Sequence, residues 1–201
     1  VSIEFNDNWK DSPSRDEIAS SGFAPSDDRD SVISRTLSPG SYTVLVRGKG
    51  NATGIAVVEA YDRTQNAASQ AANISARGSV ENGDNALFGG FIVNTQSSGT
   101  RVLARGIGPS NKSQVPNVLS DPTIELYDAN GGSIGFNDNW KDSSDRAEIE
   151  STGLAPKDDA EAAVILNVTP AAYTAIVRGK NGATGVGLIE IYNVPRASTA
   201  Q

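Results

Sequence analysis

Asn6, Asp7, Asn8 and Asp11 stand close together in this chain, and the same side chains return as Asn137, Asp138, Asn139 and Asp142. Clustered carboxylates and amides are hard oxygen donors, and calcium takes about six to eight of them. Ca2+ is therefore the cofactor these residue types suggest, with Asp7, Asn8 and Asp11 as ligands in one copy and Asp138, Asn139 and Asp142 in the other. Asp27 and Asp28, or Asp158 and Asp159, would close the shell if the chain folds back. The spacing is not that of an EF-hand. The same residues serve equally well as Asx-turns and helix caps with no ion bound.

Trp9 and Trp140 lie inside these two loops and are the 2 tryptophans of the chain. An exposed indole beside polar residues can stack on a sugar ring or anchor an interface. A buried one plugs the space between a sheet and a helix, with its N–H on a carbonyl. Catalysis has less to stand on. Within these 201 residues there is no His and no Cys, which excludes a Ser-His-Asp triad, a thiolate nucleophile and imidazole-held zinc. Glu59 and Glu190 sit at strand ends, with no second carboxylate spaced for glycoside hydrolysis. Arg47-Gly48-Lys49 and Arg178-Gly179-Lys180 read as solvated turns, and Gly106-Ile107-Gly108-Pro109 is too short for a nucleotide loop. The expectation is a protein that is not an enzyme.

The elements that carry these residues come in a repeat. Residues 5–62 reappear as 136–193, with about half of the aligned positions identical. We name this repeated stretch the B half. Each B half reads as a short strand (2–5, 133–136), the polar loop, a short helix (15–21, 146–151) and three strands (31–37, 42–47 and 55–61; 162–168, 173–178 and 186–192). Ser14 with Glu17, and Asp145 with Glu148, have capping-box spacing. Gly22 and Gly153 fall where a left-handed helix end is expected. Residues 63–72 read as a linker. Residues 73–132, the A half, occur once, with strands expected at 74–77, 87–93, 102–106 and 123–127 and turns at 94–100 and 129–132.

The order is therefore B, A, B: a half module over 1–62, a linker over 63–72, a complete module over 73–193 and a tail over 194–201. Turn-rich segments with 20 Gly and 9 Pro and strand spacing without crossover helices predict an all-β fold, an antiparallel β-sandwich or jelly roll with one short helix per repeat. The spacing also favours hairpins between successive strands.

Two resemblances add to this reading. NISARGSVENGDNALFGGFIVN, RVLARGIGPS, DPTIELYDANGG, FNDNWKD, GLAP and AAYTAIVRGKNGATGVGLIEIYN resemble a repeat module of large secreted and cell-surface β-rich proteins of environmental bacteria. The B half is also similar to the bacterial pre-peptidase C-terminal domain, through SPGSYTVLVRG and the GATG turn. Both imply an extracellular β-sandwich, and neither supplies a substrate.

A net charge of −7, from 17 basic and 24 acidic residues, argues against nucleic acid as a partner. No apolar run reaches the ~18 residues of a membrane span. A start at Val1 without Met is expected of a processed chain or an excerpt. A half module leaves an apolar face and strand edges open. The expected function is thus an extracellular structural or adhesion protein that self-assembles with copies of itself into a filament, by strand complementation. The alternative is a glycan- or surface-binding module from a larger secreted protein.

Overall fold

The computed structural model describes residues 2–63, 73–93 and 100–194. The expected linker, the turn after residue 93 and the tail thus fall almost wholly outside the described residues. The chain divides into two compact units, Val1–Gln70 and Ala71–Gln201. Each carries one short helix, α1 (Arg15–Ser20) in the first and α2 (Arg146–Ser151) in the second.

The second unit is a sandwich of eight strands: β1 (Asn73–Val80), β2 (Leu87–Ile92), β3 (Thr100–Ile107), β4 (Pro122–Tyr127), β5 (Ser133–Asn137), β6 (Ala162–Val168), β7 (Ala172–Gly179) and β8 (Gly185–Val194). One sheet has the order β1-β8-β3-β6 and the other β2-β7-β4-β5, with every pairing antiparallel. The fold is all-β and has jelly-roll strand order. The A half (β1–β4) is one arm of a long hairpin and the B half (β5–β8) is the other. The arms pair as β1 with β8, β2 with β7, β3 with β6 and β4 with β5, and rolling the hairpin up adds β3 with β8 and β4 with β7. Each sheet therefore alternates A, B, A, B.

The expected hairpins between successive strands are corrected by this order. Only β4 and β5 are consecutive and paired; the other successive strands lie in opposite sheets. A jelly roll closes its edges by wrapping, so each short turn crosses the sandwich instead of returning along one sheet.

The core lies between the sheets. β4 alternates buried and half-buried residues, the signature of one inward face, and Ile124 and Leu126 meet Leu119, Val177 and Ile189 there. A second cluster forms on the outer face of β3 and β6, where Leu103, Ala163 and Ile165 pack under Trp140 and Ile149. Covered on both faces, β6 buries five of its seven positions, which is why 162–168 reads as a near-continuous apolar run. Gly153 ends the helix segment with φ of 70°, a value open to glycine at little steric cost. Ser14 and Asp145 take the N-cap positions, but neither side chain caps. The hydroxyls of Ser12 and Ser143 accept from the N–H of Ser14 and Asp145 instead. The capping-box reading is corrected accordingly.

The first unit departs most from expectation. Its segments 2–5, 31–37, 42–47 and 55–61 form no strand ladder among the described residues. The jelly-roll order supplies the reason. Every strand bond of the B half in the complete module runs to an A-half strand. A B half by itself holds no two strands that are neighbours.

Candidate functional site

The loop that carries the candidate ligands is built the same way in both units. Asn137 Oδ1 accepts from the N–H of Ala163 at 2.9 Å while its amide donates to the carbonyl of Asn139 at 3.1 Å. Asn6 does the same with Val32 and Asn8, at 2.9 and 3.0 Å. The N–H of Trp140 donates to the carbonyl of Glu161 and that of Trp9 to the carbonyl of Asp30. These bonds pin the loop to the start of the following strand segment.

Each aspartate offered for calcium has one oxygen engaged within the chain, while Asp138 Oδ1 is buried with no hydrogen-bond partner among the described residues. Asn139 donates to Asp142 at 3.3 Å and Asn8 to Asp11 at 3.0 Å. Lys180 lies 2.6 Å from Asp138, and Lys49 lies 2.5 Å from Asp7. Both lysines are held above their ordinary pKa, first by those bonds. Among the described residues no group of three or more His, Cys, Asp or Glu is placed to hold a metal ion. A shallow pocket beside this loop is lined by Lys141, Asp142, Arg146 and Asp159, and Lys141 and Asp159 there pair at 2.5 Å.

Both tryptophans are buried, Trp9 at 7% and Trp140 at 5% exposure. They take the packed position under the helix, not the exposed stacking position. Trp140 Nε1 donates to the carbonyl of Asp158 at 3.0 Å.

Sequence reasoning gives Glu148, Glu190 and Lys180 other roles (a cap, a strand end and a solvated turn) and does not single out Glu161, Arg101 or Arg105, yet these residues hold the two halves together. Glu161 is fully buried and charged in character, so it needs several donors. The A half supplies most of them: the N–H of Gly108 at 3.0 Å, the N–H of Ser110 at 2.9 Å and the Ser110 hydroxyl at 2.6 Å. Asp158 N–H adds a weaker one at 3.3 Å.

Arg105 on β3 meets Glu190 on β8 through its Nε at 3.0 Å and through its terminal nitrogen. It also donates to Tyr192 Oη at 2.9 Å and to the carbonyl of Leu154. Arg101 pairs with Glu148 of α2. The N–H of Lys180 donates to the carbonyl of Asp121 at 2.9 Å, and its ammonium lies 3.7 Å from the Asp121 carboxylate. All of these contacts join A to B.

Burial raises the Tyr192 pKa, and the Glu190 carboxylate adds to this while Arg105 opposes it. A tyrosine whose pKa is higher folded than unfolded stabilises fully below the unfolded value near 10, and that contribution fades as pH rises through the folded value. Denaturant titrations between pH 9 and 11 are expected to show stability falling with pH. Tyr192→Phe is expected to flatten that limb.

In the first unit most local bonds of the B half are present. Among the described residues, however, Trp9 Nε1 is buried without a partner, and the bonds that the complete module makes to its A half have no counterpart. Tyr42 Oη donates to the carbonyl of Ser38 at 2.8 Å, as Tyr173 does to Thr169. Tyr61 donates to Glu59 at 2.9 Å, as Tyr192 does to Glu190 at 3.0 Å. Yet Val46 is 56% exposed where its equivalent Val177 is 0%, and Val58 is 58% exposed where Ile189 is 1%. Leu45, Ile55 and Val57 are exposed as well. This apolar row lies open to solvent.

Among the described residues no helix is long and apolar enough to cross a membrane. No family model matches the chain. No curated protein matches it either. Among solved structures, the pre-peptidase C-terminal domain of a collagenase from Bacillus anthracis is similar at 12% identity and a TM-score of 0.38, covering 60% of this chain and 89% of that one.

Proposed function

We propose that this chain is an extracellular structural protein that assembles by completing the half module of residues 1–62 with strands from a neighbouring subunit, building a filament. One observation carries the reading. The strands of the complete module's B half bond to A-half strands alone, while the repeated stretch in the first unit carries exposed apolar residues and, among the described residues, no ladder. Main-chain hydrogen bonds and burial of such a row are the driving forces of strand addition between chains. A contact of this kind joins unlike surfaces, and repetition without closure yields a filament.

The location outside the cell rests on the sequence resemblance to secreted repeat modules. The reading assigns no catalysis, in keeping with a chain without His or Cys. Glycan binding through tryptophan loses support because both indoles are buried.

Sedimentation velocity of residues 1–201 followed by a second copy of residues 71–132, so that each chain brings one A half for a neighbour, beside residues 71–201, tests the proposal. The longer chain is expected to associate with rising concentration, and the complete module to stay monomeric. A longer chain that remains monodisperse at high concentration would overturn the reading.

A further inference from the structure

We infer that residues 5–62 form a preorganised receptor for one specific occupant, an additional A-type half: a polypeptide with the strand pattern and charge positions of residues 73–127, donated by a neighbouring subunit. The inference rests on the assembly reading above and names its partner.

Specificity comes from charge positions. In the complete module three ion pairs cross from A to B: Arg101 with Glu148, Arg105 with Glu190, and Asp121 with Lys180. The repeat keeps all three B-side groups, as Glu17, Glu59 and Lys49. The buried acceptor Glu161 has Asp30 as its equivalent, a carboxylate one methylene shorter. An incoming A half thus finds acid, acid and base where its own Arg, Arg and Asp require them.

The receptor side is already arranged. Tyr61 orients Glu59 at 2.9 Å and stacks on Phe23 with ring centroids 4.2 Å apart. Arg63 already holds Glu17 at 3.0 Å, so an incoming guanidinium equivalent to Arg101 has to displace it. Local bonds made before binding lower the ordering entropy that strand capture must overcome.

Stoichiometry decides where the A half comes from. Residues 1–201 hold one A half and two B halves. Copies of this segment that exchange A halves free one B half for each one they fill, so exchange alone yields no net burial. Net burial requires a surplus A half beyond residues 73–127.

The test adds a separate polypeptide of residues 71–132 to the full chain and follows backbone amide exchange. Protection is expected to appear over 42–47 and 55–61 at one equivalent, with 172–179 unchanged. Arg105→Glu in the polypeptide is expected to weaken binding about tenfold or more, and Glu59→Arg in the chain to restore it. In a second form the same polypeptide is fused ahead of residue 1, which removes any dependence on its solubility. Amides over 42–47 and 55–61 should then be as protected as those over 173–178 and 186–192. If they stay unprotected in both forms, or if the charge swap rescues nothing, the inference is overturned. Association of the chain without protection by the polypeptide would sink this inference and leave the assembly reading standing. Protection in a chain that never associates would do the reverse.

Discussion

Glu161→Ala is expected to lower the stability of the complete module by about 3–5 kcal/mol, a large share of the total for a domain of this size. The carboxylate is fully buried and takes three donors from residues 108–110. Removing it strands the buried N–H of Gly108 and takes the acceptor from the half-buried N–H and hydroxyl of Ser110, and the loss of a buried partner costs about 1–3 kcal/mol. It also leaves the loop after β3 without its tie to the B half. Glu161→Gln keeps the volume and one acceptor oxygen, so it should fall between the two. Thermal melts of residues 71–201 followed by circular dichroism would read the effect as a fall on the order of 10 °C. A change below 2 °C for Glu161→Ala would show that the bonds to Gly108 and Ser110 hold nothing together. Asp30→Ala provides the contrast. The Asp30 carboxylate takes no hydrogen bond among the described residues, so the change should leave that unit's own stability nearly unchanged.

The second large effect is expected at Gly179, for reasons of space rather than of backbone freedom. A Cβ built there would sit 1.9 Å from the carbonyl oxygen of Ala183 and 2.6 Å from its carbonyl carbon. Both are backbone atoms, so no side-chain rotation relieves the contact, and the turn between β7 and β8 has to open. Opening it breaks the bond from the N–H of Ala183 to Lys180 and disturbs the bond from Lys180 to Asp121, the A-half strut at this corner. Gly179→Ala is therefore expected to destabilise by about 3 kcal/mol, at the upper end for overpacking. Gly131 is a useful control, since its φ is +79° but no atom lies within 4 Å of a Cβ there. Gly131→Ala should cost about 1 kcal/mol through backbone strain alone. Urea denaturation of both variants discriminates, and equal midpoints would refute the steric account. Gly48 has the same geometry, with Ala52 O at 2.0 Å. Gly48→Ala should damage capture of a partner at the first unit while sparing the complete module.

Local features were legible in the sequence because local chemistry produces them. The segment 162–168 is the observed β6, and the helix at 146–151 is the observed α2. Gly22 and Gly153 have positive φ where a helix end required it. Partnership was not legible. Alternation reveals which face of a strand is buried, not which strand lies beside it, so short turns suggested hairpins where the chain crosses between sheets. The same limit hid the state of the first unit: 42–47 has every property of a strand except a neighbour. Glu161 escaped notice because it follows Asp158 and Asp159 in an acidic run, and nothing in the sequence separates a buried carboxylate from a half-buried and an exposed one. Arg105 and Glu190 lie on strands far apart in sequence, joined only by the register of β3 against β8.

The pairing of β1 with β8 has a mechanical consequence. Asn73 stands opposite Tyr192, so the chain enters and leaves the complete module at the same end of one ladder. Tension applied through those two ends pulls perpendicular to the strands and loads one hydrogen-bonded pair at a time. Such a ladder peels open pair by pair, whereas one pulled along the strands must break many bonds together. A row of these modules under load would yield one after another at modest force, lengthening before any single core was sheared, and would close again by the same ladder when the load was removed.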